Sequence, residues 1–209
     1  MAGVLVTHPV GEHAVLAETG DVGRSLSLAR WARSAGVSAT EVVPAARTVL
    51  FAGVADPAGL AATLADWPGD PLDSTEHEVT VPVAYDGADL DFAARRWGMT
   101  RAEAIATHAG LAFVVAFCGF APGFAYLTGL PVELALPRLE TPRTRVPAGS
   151  VAVADHWTGV YPSASPGGWR LLGHTPMTLF DPDLPAPALL APGTRVRLTV
   201  VETSGEQVR

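Results

Sequence analysis

The rhythm of apolar and polar positions changes once along the chain, near residue 78. Before that point, strand-like and helix-like patterns alternate. Residues 13–18 (His-Ala-Val-Leu-Ala-Glu) read as a short strand, and Asp21 is a helix start signal ahead of Val22, Leu26 and Ala29 at helical spacing, with Gly36 as the stop. A second strand over Val49–Val54 leads to Asp56-Pro57, a cap and first-turn proline that place Leu60, Leu64 and Trp67 on one helix face. Pro68-Gly69-Asp70-Pro71 and the polar run to Glu78 read as a linker. This pattern predicts a small α+β sandwich over residues 1–78.

From residue 79 onward, Val79, Val81 and Val83 alternate in the manner of a strand. Asp89 is placed to cap a helix bearing Leu90, Ala94 and Trp97 and stopped by Gly98. Thr100 and Glu103 have capping-box spacing and open another helix that carries Ile105 toward His108. Helical spacing ends near Leu111. Val151–Val153, Leu171–Leu172, Met177–Leu179 and the alternating Val196, Leu198 and Val200 read as short strands divided by proline and glycine turns, which predicts a closed or nearly closed β-barrel over 79–209.

Two segments of this second part stand out. Phe117 to Pro131 concentrates aromatics, glycines and prolines, with Gly119, Pro122, Gly123 and Gly129 specifying a looped path that carries Phe120, Phe124 and Tyr126. Pro137 to Trp169 has the same character, with Pro137-Arg138, Pro142-Arg143, Gly149-Ser150, Tyr161-Pro162 and Pro166-Gly167-Gly168-Trp169. The two are read together as one site.

The chain has 209 residues, 48% of them apolar, enough to bury a substantial core. A net charge of −7 argues against a nucleic-acid partner, whose phosphates call for a basic face. All 14 basic residues are arginines. With no lysine amine, Schiff-base chemistry, pyridoxal phosphate attachment and a Walker-type phosphate loop are excluded within this polypeptide. The single cysteine, Cys118, allows no internal disulfide and fits a reducing cytoplasm. No leader peptide and no membrane span are expected.

None of the six histidines pairs with another histidine or a cysteine at ligand spacing, so no metal site is expected. His108 ends a helix just before a buried strand leading into the aromatic stretch, where an imidazole serves either as a structural hydrogen-bonder or as a general base. Arg138 and Arg143 follow prolines and serve either as a rigid fork for a carboxylate or phosphate or as surface arginines bridging loops. Ser150 and the run through Gly167 and Gly168 offer hydroxyls and amides for developing negative charge, although turn formation uses the same residues. Tyr161 and Trp169 are pocket or core aromatics. There is no Gly-x-Ser-x-Gly elbow and no charged activator beside Cys118, so a self-contained nucleophile is not visible.

The runs Gly119-Phe-Ala-Pro-Gly-Phe-Ala-Tyr-Leu127, Thr141-Pro-Arg143, Val146-Pro-Ala-Gly-Ser-Val151, Gly159-Val-Tyr-Pro162 and Ser165-Pro-Gly-Gly-Trp169 together resemble the prokaryotic 5-oxoprolinase B-subunit family, also described as sporulation-kinase inhibitors or allophanate-hydrolase-subunit relatives. The resemblance implies a ferredoxin-like amino-terminal domain and a cyclophilin-like barrel. It implies one component of a multi-subunit enzyme that opens 5-oxoproline to glutamate with ATP and Mg, completed by the A and C subunits. The alternatives it carries are inhibition of a sensor histidine kinase and a carboxyltransferase-type or allophanate-hydrolase-related role. On this reading His108, Arg138 and Arg143 are catalytic, and Phe120, Phe124, Tyr126, Gly149, Ser150, Tyr161, Gly167, Gly168 and Trp169 bind substrate. Two departures from the family pattern are His174, where arginine is usual, and a short loop after Tyr85.

Overall fold

The computed structural model describes residues 5–70 and 77–202, so most of the expected linker lies outside the described residues. The chain divides into two compact units, Met1–Thr75 and Glu76–Arg209.

The first unit is a four-stranded antiparallel sheet with two helices. Its strands are β1 (Val6–Pro9), β2 (Ala14–Glu18), β3 (Glu41–Pro44) and β4 (Thr48–Ala52), in the order β1-β2-β4-β3. Helix α1 (Val22–Ser34) begins where the Asp21 carboxylate accepts the Arg24 N–H, and α2 (Pro57–Leu64) where Asp56 accepts the Gly59 N–H. The inward face of the sheet (Val15, Ala17, Val49, Phe51) meets Leu28, Ala29, Leu60 and Leu64 in one core. Strands β1 and β3 are absent from the sequence reading because they are the sheet's outer strands and are largely exposed, with no apolar alternation to betray them.

The second unit is mainly β. Its strands are β5 (Glu78–Val83), β6 (Ala112–Cys118), β7 (Ala125–Thr128), β8 (Arg143–Val146), β9 (Ser150–Ala154), β10 (Trp157–Val160), β11 (Ser165–Gly167), β12 (Arg170–His174) and β13 (Arg195–Val200). Seven of these form a sheet in the order β12-β9-β10-β7-β6-β13-β5, while β8 and β11 pair separately. The sheet rolls into a nearly closed barrel. Its interior is filled by Val81, Val83, Phe113, Val115, Leu127, Val151, Val153, Leu172 and Leu198. Helices α3 (Leu90–Trp97) and α4 (Arg101–Gly110) pack against it, α4 opening with a reciprocal capping box between Thr100 and Glu103.

Two expectations change. Within Phe117 to Pro131 the end of β6 pairs with β7 as a hairpin, while residues 119–124 at its tip and 129–131 beyond it stay looped. Met177–Leu179 forms no strand: Pro176 precedes it, and the only ladder pairing nearby among the described residues is the isolated bridge from Phe180 to Ala188.

The barrel closes at one seam. Ala84, just past β5, and His174, at the end of β12, exchange two backbone bonds of 2.9 Å, and Gly87 and Asp89 donate to Leu172 and Leu171 at 3.0 and 2.9 Å. Backbones approach so closely that a Cβ on Gly87 would strike the Leu171 carbonyl and one on Gly173 the Ala84 carbonyl. Gly87→Ala is therefore expected to lower unfolding stability in urea by about 1–3 kcal/mol. Gly110→Ala, at a helix end with open space around it, is the control and stays near neutral. Equal midpoints for the two variants would contradict a tightly packed seam.

Candidate functional site

The tip of the β6–β7 hairpin builds one wall of a hollow. Gly119 donates to Phe124 O at 3.1 Å and Phe124 to Ala121 O at 3.0 Å, while Pro122 and Gly123 (φ 77°) turn the chain between them. Phe120 is forced into the left-handed region, φ 69°, and its ring is left 64% exposed. That conformation costs a non-glycine residue roughly 1–2 kcal/mol, which the surrounding turn sustains. Phe124 points inward and is buried. It meets Tyr126, Tyr161 and Trp169 edge-on, with ring centroids 5.1, 5.1 and 5.4 Å away, and Phe120 meets it the same way at 5.4 Å. These are favourable quadrupole arrangements that fix the rings relative to one another.

The opposite wall is the small β8–β11 ribbon and the turn that follows it. Gly167 lies against the Tyr161 hydroxyl, where a Cβ would collide. Pro166, Gly167 and Gly168 complete a cavity of about 130 Å³ bordered by Phe120, Phe124, Tyr126, Tyr161, Trp169 and Arg138. Burial pushes the Tyr161 phenol up, with the nearby charges of Arg138 and Arg143 opposing it, so it remains a neutral hydroxyl near neutral pH. Arg138 is exposed, its Cζ 5.9 Å from the Trp169 ring centroid. Among the described residues it has no acidic partner.

Arg143 is differently placed. Its Nη2 donates to Asp89 Oδ2 at 2.8 Å and its Nη1 to the Trp169 carbonyl at 3.3 Å. Asp89 also accepts the Leu171 N–H at 2.8 Å and faces Arg170 Nη1 at 3.5 Å. Arg170 in turn donates to Pro137 O at 3.0 Å and lies over Phe92, Cζ to ring centroid 3.9 Å. The Asp89 side chain is only 8% exposed. Sequence reasoning gave this residue a local role, as a helix cap. It does sit just before α3, yet its carboxylate makes no capping bond and turns instead to partners 54 to 82 residues away in sequence. No local pattern reveals such a partner set.

Three further expectations are corrected. His108 does not border the hollow. It is fully buried, with Nδ1 2.8 Å from the Tyr85 hydroxyl, Nε2 3.1 Å from Thr158 Oγ1, and Trp97 and Phe113 against its ring. Burial pushes its pKa down to about 3, so the imidazole is neutral and both nitrogens are already engaged. Gly149, in the turn before β9, and Ser150, the first residue of β9, do not line the hollow but pair with the backbone of Tyr161, which does. The Gly149 N–H donates to Tyr161 O at 2.7 Å, and the Ser150 carbonyl accepts the Tyr161 N–H at 2.9 Å, so backbone pairing already occupies both groups.

With this geometry in hand, the chain can be set beside known proteins. The family described as carboxyltransferase domain, subdomain C and D, matches residues 5–190. A curated protein of Escherichia coli O157:H7, named as the B subunit of 5-oxoprolinase, is 46% identical over 129 residues, which make up 60% of this chain and 59% of that protein. The match thus spans less than two thirds of that relative's length. The crystal structure of TTHA0988 superposes with a TM-score of 0.78 at 35% identity, covering 91% of this chain and 40% of that one. The Kluyveromyces lactis urea carboxylase shares the fold, with a TM-score of 0.69 at 19% identity over 94% of this chain and 22% of its own. No helix among the described residues is long and apolar enough to cross a membrane.

The His108 environment makes a pH prediction. The unfolded histidine binds a proton below about pH 6.5, whereas the buried one does so only near pH 3. The group's contribution is thus intact above pH 6.5 and falls by about 1.4 kcal/mol per pH unit as the pH drops toward 3. In His108→Gln this component is absent, so the stability difference between wild type and variant narrows in acid, measured by urea unfolding across that range. A difference independent of pH would refute the neutral buried imidazole.

Proposed function

Because the chain belongs to the carboxyltransferase domain family, subdomains C and D, we propose that it is the B component of an ATP-dependent 5-oxoprolinase, a cytoplasmic complex that hydrolyses 5-oxoproline to glutamate. On this reading the barrel is cyclophilin-like. The amino-terminal unit is a ferredoxin-like sheet whose outer strand β1 comes from before the motif and not from after it.

One observation carries the proposal: Arg138, a cation with no acidic partner among the described residues, stands at the mouth of a small aromatic hollow. 5-Oxoproline is a five-membered lactam bearing a single carboxylate. Its carboxylate pairs with the Arg138 guanidinium, while the ring lies among Phe124, Tyr161 and Trp169. Burial keeps the Tyr161 phenol protonated, so its proton can be donated to the lactam carbonyl. That bond strengthens as the carbonyl oxygen gains negative charge, so it assists ring opening.

The remainder of the reaction belongs to other chains. A cavity of about 130 Å³ is well under the roughly 300–1,000 Å³ of sites for larger ligands, which supports nucleotide binding elsewhere. There is no lysine for a phosphate, and the buried His108 is not free to shuttle a proton. The A and C subunits therefore supply ATP, Mg and the groups that activate the amide. Phe120, exposed and held in a strained conformation at the rim, offers an aromatic anchor to whichever of them caps the hollow.

Reconstitution tests this directly. The isolated chain is expected to give no turnover, and the complex with its A and C partners to consume 5-oxoproline with ATP. Arg138→Gln in that complex is expected to lower kcat/KM at least tenfold, with Arg138→Lys recovering part of it, since lysine restores charge without the planar fork. Full turnover by the chain alone, or an unaffected Arg138→Gln complex, would refute the reading.

A further inference from the structure

One guanidinium, that of Arg138, lines the hollow, and those of Arg143 and Arg170 bond to backbone carbonyls of Trp169 and Pro137 beside it. Arg138 lacks an acidic partner among the described residues, whereas Arg143 and Arg170 both converge on Asp89. Arg143 is close enough to matter: it is the cross-strand partner of Gly167, which lines the cavity, and it bonds to the carbonyl of Trp169, which lines it too. Released from Asp89, its side chain would lie beside the same opening as Arg138.

From this arrangement we infer that Asp89 is the specificity-determining residue of the site, withholding Arg143 and Arg170 so that the hollow presents one positive charge and selects a singly charged carboxylate. The inference rests on the hollow being the ligand site. Asp89 is well suited to the task. Its carboxylate is almost fully removed from water, and a backbone amide, Leu171 N–H at 2.8 Å, fixes its orientation independently of the arginines. A guanidinium cannot leave such a partner without stranding a buried charge, so a passing anion does not recruit Arg143. With all three cations available, the site would instead favour ligands of higher charge, such as phosphate, which carries more than one negative charge near neutral pH.

Asp89 contacts no ligand on this account and acts through the arginines, so its replacement has a signature that lost packing does not produce. Asp89→Asn retains the shape and an acceptor oxygen but drops the charge. Titrated with inorganic phosphate and followed by tryptophan fluorescence, the Asp89→Asn chain is expected to bind at least tenfold tighter than wild type. Adding Arg143→Gln to it should remove that gain. A variant that binds phosphate no tighter than wild type, or whose gain survives Arg143→Gln, overturns the inference.

Wild-type protein provides a second measurement that does not depend on the folding of any variant. Arginine side-chain NMR should show hindered rotation for Arg143 and free averaging for Arg138, and averaged Arg143 signals would also overturn the inference. Titration of wild type with 5-oxoproline tests the separate reading of the site. Failure of 5-oxoproline to bind would refute that reading and leave the phosphate and NMR results to decide the role of Asp89.

Discussion

Asp89 sits almost wholly out of water at the seam where the barrel closes, and the rest of the site is arranged around what a buried carboxylate needs. An unpaired charge there would be strongly unfavourable, so its partners are held firmly: Arg143 from β8, Arg170 at the start of β12, and the Leu171 N–H. These contacts join three segments far apart in sequence. Arg143 reaches the carbonyl of Trp169, and Arg170 the carbonyl of Pro137, next to Arg138. One carboxylate thereby ties the backbone at Trp169 and the backbone beside Arg138 to the same group of ion pairs. Removing a single member of such a group costs roughly 3–5 kcal/mol, more than the net worth of the pairing, because what remains is a stranded buried charge.

The hollow itself is held by shape. Phe124, Tyr126, Tyr161 and Trp169 pack edge to face in a cluster distinct from the barrel interior. Glycine at 167 is the only residue that fits beneath the Tyr161 hydroxyl, and the turn around Gly123 sets Phe120 at the rim. The shape of the hollow is thus built into packed aromatics and tight turns, while nothing in or beside it among the described residues is a nucleophile with an adjacent base. Under the proposed function, this chain presents the ligand and a partner performs the chemistry.

Elements with strong local signals were legible from residues alone: the Asp21 and Asp56 caps, the Thr100–Glu103 capping box, the glycine stop at Gly98, and the alternation in β5 and β13. The residues that line the hollow all fall within the two stretches in which glycines, prolines and aromatics crowd together. Exposed strands β1 and β3 left no trace in the pattern, and the ribbon of β8 and β11 is too short to signal pairing, with prolines on either side of β8 and one within β11. His108 and Asp89 show the deeper limit. Each was assigned by its sequence neighbours, His108 to a nearby loop and Asp89 to a helix end, whereas burial and partners from distant segments decide what they do. Arg138 and Arg143 look alike in sequence, each after a proline, and only the position of Asp89 separates them.

On the proposed reading Arg138, which has no acidic partner among the described residues, receives the ligand beside the aromatic hollow while Arg143 and Arg170 stay bound to Asp89. A crystal structure of the chain, with its partner subunits and with 5-oxoproline in place, tests this most directly. The account predicts the ligand carboxylate on Arg138, the ring against Trp169 and Tyr161, and both Asp89 ion pairs intact. A ligand seated outside the hollow, or one whose carboxylate has drawn Arg143 away from Asp89, would contradict it.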